Sequence, residues 1–508
     1  MTHHVLQFPY LIANPDPRVL VIGVGGGKDI IVAAQMGASH VTGVELDPVA
    51  LRFILDDLNS VGAGFFHQPH IELLASEGRH FIHSSPRKYD VIQLTGVDTL
   101  SAINNGAYVL AENYLYTVQA VHDYLDHLTP GGILSFAMGS VDPDEPRSAG
   151  RLVSVARSAL RERGIERPDR HVAVIHSGAL AAEVMIKTTP YDAREVRALA
   201  ARARRLRMQP LLLPDREGHP VFEGLISKTG AEREEFLSNL RFRVDATSDD
   251  NPFFLSFFRW GDLFAPGRLT PSHVTALGQI VLGVLLISLT VLGGILILVP
   301  LVVFRRRGIA GSVGQRLGVM GFFLALGLGF MLFEISLIQR FVLFLGYPTY
   351  SLSVTLCSLL VFLGWGSYLS RRFVGRQRVA LPGAVVAIAV LAFFYVEGLP
   401  VVQGWFFESP LALRVVLTAL MLAPLGLAMG LFFPLGIRTA SSIHEDLVPW
   451  AWGINGCASV TAGVLAVVLA MSHGFGFVWK LSVVVYAVGT AVFLLATRSV
   501  PLSPASES

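Results

Sequence analysis

A glycine-rich turn between a strand-like and a helix-like stretch, an acid ending the next strand-like run, and about seven later apolar runs predict a chain in two parts. The first part reads as an α/β Rossmann-like domain with a seven-stranded, mostly parallel sheet, and the second as an all-α multi-pass transmembrane domain. Composition agrees: of 508 residues, 52% are hydrophobic and 15% charged, against roughly a quarter charged in soluble proteins. Charges are frequent to about residue 271, and apolar runs dominate over 274–496. The expected organisation is a nucleotide-binding domain over 1–190, a connecting α/β extension over 191–272, about seven helices over 273–498 and a polar tail over 499–508. A net charge of +2 gives no sign of a nucleic-acid partner. Cys357 and Cys457 fall in apolar runs and read as small buried hydrophobes rather than a disulfide framework. Residues 1–16 lack the basic start and apolar core of a signal peptide.

Arg18-Val-Leu-Val-Ile-Gly23 is a β-branched run ending in glycine, as a buried parallel strand requires. Gly25, Gly26 and Gly27 follow, and 28–36 reads as a helix stopped by Gly37. Val41-Thr-Gly-Val-Glu45 places Glu45 at the end of a second strand. Such a turn brings backbone N–H groups against a ligand, and the acid accepts ribose hydroxyls. Further strands are expected at 70–74, 89–94 and 133–137, a helix over 113–128, and a closing antiparallel pair at 171–175 and 183–187. Ligands in such sheets sit at the C-terminal ends of the strands. Gly25, Glu45, Glu77 and Asp98 all fall there, with Gly23, Asp29, Asp47 and Gly78 as flanking candidates.

The dinucleotide pattern needs a glycine where this chain has Lys28. That glycine serves close packing beside a pyrophosphate. Its absence suits a ligand without phosphates, and S-adenosylmethionine is one; NAD is the second choice. His67/His70 and His80/His83 are close pairs without the cysteine or carboxylate cluster that completes a metal site. The basic stretch 198–207 reads as a solvated helix face, with membrane-surface contact as the sharper alternative.

Val21-Ile-Gly-Val-Gly-Gly-Gly-Lys-Asp29, Gly43-Val-Glu-Leu-Asp-Pro48, Tyr89-Asp-Val-Ile92 and Leu128-Thr-Pro-Gly-Gly132 together resemble the spermidine/spermine synthase family, and more closely its bacterial members fused to multi-pass membrane domains. The resemblance covers about 9–187 and, weakly, 330–367. It implies a class I methyltransferase fold, S-adenosylmethionine or its decarboxylated form as cofactor, Glu45 on the ribose, Glu77 at the adenine end and a polyamine acceptor. Two departures stand out. The family's Asp-Ser-x-Asp-Pro turn has Thr95 at its first acid, whereas the second survives as Asp98. The first acid helps deprotonate the attacking amine, so Thr95 weakens the expectation of aminopropyl transfer and leaves methyl transfer open. The family's N-terminal β-domain also has no room before Arg18, so the chain is expected to run another reaction or to be a shortened relative. Ser248-Asp-Asp-Asn-Pro-Phe-Phe254 resembles a motif closing the soluble domain in the fused family and reads as a turn with aromatic packing at the membrane surface.

Spans are expected near 274–303, 317–340, 342–369, 380–398, 411–436, 448–471 and 475–496. Arginines cluster at 305–307 and 316 and at 371–378, with Arg438 and Arg498 later; alternation puts all four segments on one side, which the positive-inside rule makes cytoplasmic. The same count would put the soluble domain outside, away from a cytosolic cofactor; a cytoplasmic domain on a bacterial inner membrane is expected instead. Glu334 is an acid deep in a span and should face a cavity or partner. Asn455 is placed to hydrogen-bond across helices, and Gly426 with Gly430 permits close packing. The functional expectation is a membrane-bound transferase acting on a small-molecule, polyamine or lipid-like acceptor, with the bilayer as partner and a homo-oligomer left open. A transporter or sensor with a regulatory nucleotide domain is the alternative.

Overall fold

Arg18–Ile22 forms β1, whose Val, Leu and Ile side chains are buried on both faces of the sheet, as parallel strands require. The structure, a computed structural model, describes residues 5–58, 64–97, 112–139, 142–178, 181–261, 277–299, 303 and 312–500. It comprises two compact units, Met1–Gln279 and Ile280–Ser508.

In the first unit β1 is joined by β2 (His40–Glu45), β3 (Ile71–Ala75), β4 (Tyr89–Thr95), β5 (Leu128–Gly139), β6 (Val172–His176), β7 (Ala181–Lys187) and β8 (Gln209–Leu212). The order is β3-β2-β1-β4-β5-β7-β6-β8. Strands β1 to β5 pair in parallel, whereas β7, β6 and β8 add antiparallel ladders. This is the methyltransferase-like Rossmann fold, with the switch point between β1 and β4. Eight strands are present among the described residues rather than seven. The extra one, Gln-Pro-Leu-Leu, is four residues long and holds a proline, which only an edge strand tolerates. So short a run carries no periodic signal, which is why the sequence alone does not announce β8.

The expected helix over 113–128 is shorter. Asn113 caps a single tight turn, Tyr114–Tyr116, before Thr117 caps the helix Val118–Asp126 through the Ala120 N–H. Two capping side chains four residues apart divide what spacing alone reads as one helix.

One face of the sheet packs against helix α1 (Lys28–Gln35), the helix Ala193–Leu206 and the N-terminal stretch that carries Val5, Leu6, Phe8 and Tyr10. The helices Val118–Asp126 and Arg147–Glu162 lie elsewhere around it. In the Ser248–Phe254 motif the Ser248 and Asn251 backbones pair across a turn, and Phe253 and Phe254 are buried inside this unit, with the Phe254 ring tilted against that of Tyr116 at 4.7 Å between centroids. Buried Arg151 donates to the carbonyls of Phe253, Phe254, Arg243 and Ser256, and Arg79 and Thr117 both donate to Asp249. Buried carbonyls need donors, and one guanidinium supplies four of them.

The second unit holds helices long and apolar enough to cross a membrane; with the one that begins at Gly278 there are seven among the described residues. The longest, Val313–Leu345, packs against Leu447–His473 and Phe475–Ala496 through small residues. A Cβ on Gly489 would lie 2.4 Å from that of Ala325. Gly430 approaches the neighbouring helix Pro348–Leu369 so closely that an added Cβ would stand 2.3 Å from the Leu363 carbonyl oxygen. Small residues at helix contacts are what apolar surroundings favour, since packing there replaces the hydrophobic drive. The Asn455 amide donates to the Phe323 carbonyl at 3.2 Å on another helix, and Glu334 is buried. Both cysteines are free. Cys457 donates to the Gly293 carbonyl, but Cys357 is exposed, not buried, because its helix packs along only part of its circumference.

Candidate active site

The turn after β1 is built from left-handed backbone. Gly23, Gly25 and Gly27 have φ of +79°, +50° and +77°, conformations that side-chain-bearing residues resist. Gly25 and Gly26 are exposed, and a Cβ on either would meet nothing within 4 Å, so the turn's outer edge is open. Glu45, at the end of β2, accepts the Gly25 N–H at 3.0 Å and the Asp47 N–H at 3.1 Å. One carboxylate thereby ties the glycine turn to the following turn. Asp47 caps the helix Pro48–Phe53 by accepting from Val49 N–H.

Beyond β3, Glu77 accepts the His80 N–H at 2.7 Å and so caps the helix Gly78–Ser84. Burial raises its pKa, opposed by the hydrogen bonds from His80 and Arg79. Gly78 touches the first strand: a Cβ there would lie 2.4 Å from Ile22 Cγ2. Thr95 ends β4, half-buried, next to exposed Gly96. Asp98 lies outside the described residues. The strand ends therefore bring together the glycine turn, Glu45, Glu77 and Thr95, with Asp47 and Gly78 in the turns that hold them.

Asp29 sits differently. It is buried in the first turn of α1, and its Oδ1 accepts both the Thr95 hydroxyl and the Gln93 amide, each at 2.6 Å. The Tyr10 hydroxyl donates to Gln93 Oε1 at 2.8 Å, which fixes the direction of that amide. Burial raises the pKa of Asp29, whereas the bonds from Thr95 and Gln93 and the charge of Lys28 lower it. Nearby in the same layer, Glu183 on β7 accepts from Ser135 on β5, and burial pushes its carboxyl up to about 8. Tyr10, Gln93, Ser135 and Glu183 were not singled out from sequence. The available signal is a polar residue inside an apolar strand, in Val-Ile-Gln-Leu and in Ala-Ala-Glu-Val-Met-Ile.

Among the described residues no group of three His, Cys, Asp or Glu side chains is placed to hold a metal ion. His83 instead faces Asp123 at 3.1 Å.

No family model matches the chain. It is 28% identical over 162 residues to polyamine aminopropyltransferase 2 of Pseudomonas aeruginosa, covering 32% of this chain and 44% of that protein. To polyamine aminopropyltransferase 2 of Hyperthermus butylicus it is 30% identical over 207 residues, covering 39% and 63%. The chain thus spans less than two thirds of the length of these relatives. Among solved structures, the spermidine synthase of Thermotoga maritima aligns with a TM-score of 0.29 at 14% identity, over 46% of this chain and 73% of that one. Human methyltransferase-like protein 13 aligns with a TM-score of 0.28 at 18% identity, over 43% and 91%. In sequence the chain is similar to the polyamine aminopropyltransferases, and it joins that spermidine synthase-like, methyltransferase-type sheet to helices long and apolar enough to cross a membrane, seven among the described residues.

Proposed function

We propose that this protein is a membrane-bound transferase that binds S-adenosylmethionine or its decarboxylated form and moves an aminopropyl group to a polyamine-like acceptor. The observation that carries the reading is the tie between Glu45 and the Gly25 N–H across the ends of β2 and β1. It holds a carboxylate beside an open glycine turn, where a ribose bearing two hydroxyls has acceptors to bind. In this reading Gly23 to Gly27 approach the nucleoside, Glu45 takes the ribose hydroxyls, and Glu77 lies towards the adenine. Asp98 is assigned to the acceptor side on resemblance alone. The similarity to polyamine aminopropyltransferases supports aminopropyl over methyl transfer. Methyl transfer is the second reading, favoured by the uncharged Thr95 at the end of β4.

The soluble unit is assigned to the cytoplasmic side of a bacterial inner membrane, where the cofactor is made; a one-sided reporter fused at residue 1 tests this, and external signal overturns it. The binding reading is tested by calorimetry on the full-length protein in detergent. 5′-Methylthioadenosine or S-adenosylmethionine should bind, and Glu45→Ala should weaken either by about 1.5–3 kcal/mol, the range for a lost hydrogen bond to a charged group. Binding of NAD with no binding of either adenosyl thioether or sulfonium compound refutes it.

A further inference from the structure

Attack of an amine on the carbon bound to a sulfonium requires the amine to lose a proton. At the strand ends, Glu45 and Glu77 already accept backbone N–H groups that hold the turns together. Thr95 has no charge of its own. Its hydroxyl hydrogen nevertheless points at a carboxylate, because Oγ1 donates to Asp29 Oδ1 at 2.6 Å. This direction leaves the lone pairs of Oγ1 free to accept from outside. Asp29 is 5% exposed and lies behind the threonine.

Resting on the transferase reading above, we infer that Asp29 acts through Thr95 as the proton-accepting carboxylate of this site, with the threonine hydroxyl as the relay. The acceptor amine passes its proton to Thr95 Oγ1 as the Thr95 proton passes to Asp29 Oδ1. The freed nitrogen lone pair forms the C–N bond, and the C–S bond breaks with its electron pair left on sulfur as a neutral thioether. Charge and protons balance with no further reactant. Asp29 touches neither substrate in this scheme; it is a positioning and proton-holding residue.

The surrounding groups suit that role. Every hydrogen bond that the structure gives to Asp29 Oδ1 comes from a donor, and the Tyr10–Gln93 bond locks one of those donors in place. Donors around a carboxylate favour its ionised form, and here they oppose the burial that raises the Asp29 pKa. The other titratable neighbours are Lys28 on the same helix, Tyr10 from the N-terminal stretch and Glu183 from β7. Burial pushes the Glu183 carboxyl up to about 8, and the nearby Asp29 charge adds to that rise. The arrangement moves the acid from the strand end to the first turn of α1, 66 residues earlier in the chain.

The test uses full-length protein in detergent with decarboxylated S-adenosylmethionine and putrescine or spermidine, reading 5′-methylthioadenosine release. Asp29→Asn should lower kcat by about 10²–10⁴-fold, the usual contribution of a general base, with KM for the nucleoside donor unchanged. Thr95→Val should fall equally, and the double variant no further, because the two act as a unit. Thr95→Ser should retain activity to within about tenfold, since it keeps the hydroxyl. The acid limb of the kcat–pH profile should vanish in Asp29→Asn. Parental rates in Asp29→Asn, or a loss that adds to that of Thr95→Val with the acid limb intact, overturn the relay and leave the transferase reading standing. Should Asp29→Asn not fold, the Thr95→Val and Thr95→Ser pair decides: equal kcat in the two overturns the relay. No release by the parent with either polyamine overturns the aminopropyltransferase reading and the relay with it.

Discussion

Replacing Glu183 by glutamine should stabilise the first unit at neutral pH, and the size of the effect follows from one buried carboxyl. Glu183 is fully buried on β7, accepts the Ser135 hydroxyl through Oε1 and leaves Oε2 without a partner. Burial, the largest cause, raises its pKa from 4.5 to about 8 in spite of the Ser135 bond, and the Asp29 charge adds to the rise. A raised acid pKa means that the folded chain keeps a proton the unfolded chain has lost. Stability from this group is therefore complete below pH 4.5 and falls as pH rises towards 8. At about 1.4 kcal/mol per pH unit, the deficit is roughly 3 kcal/mol at pH 7 and about 1 kcal/mol at pH 5. Glutamine has the same shape, accepts from Ser135 and carries no titrating proton. The assay is amide hydrogen exchange of β5 and β7 in the full-length protein, with variant and parent compared at each pH. Protection in the variant should exceed the parent's by about a hundredfold at pH 7 and by about fivefold at pH 5. Equal protection at both values would refute the claim that this acid is buried against its own ionisation.

Gly78→Ala sets a methyl 2.4 Å from Ile22 Cγ2, so overpacking should cost about 1–3 kcal/mol, read as a lower melting temperature and weaker 5′-methylthioadenosine binding. Arg79→Met removes the guanidinium that stands 2.6 Å from both Asp123 and Asp249, leaving them His83 and Thr117. The cost should approach about 3–5 kcal/mol, and limited proteolysis should find the 247–254 segment newly accessible. In the second unit, Gly430→Val meets the Leu363 carbonyl oxygen, 2.3 Å from the position of the new Cβ. It should lower the melting temperature in detergent, whereas the same change at Gly383, whose Cβ would meet nothing within 4 Å, should not. Equal behaviour of those two variants would argue against the close helix contact.

Much of this protein was legible before any tertiary contact. Helices long and apolar enough to cross a membrane declare themselves because lipid demands about twenty apolar residues in a row, and runs such as 475–496 satisfy that demand locally. The strand, glycine turn, helix, strand and Glu45 are equally local: left-handed φ values select glycine, and a parallel strand buried on both faces selects Val, Leu and Ile. The ends of the strands could be named because topology puts them side by side. Other features were decided by tertiary structure alone. Gln209–Leu212 becomes a strand only because β6 offers it an edge. Asp29 reads as a cofactor-binding candidate beside the glycine turn, yet the fold turns its carboxylate towards Gln93 and Thr95, far along the chain. Arg79 and Arg151, in no motif of the sequence, anchor a segment about a hundred or more residues away. The physical reason is common to all three. Periodicity records which side of an element faces the core, whereas the partner of a buried polar group is set by which elements the sheet makes neighbours.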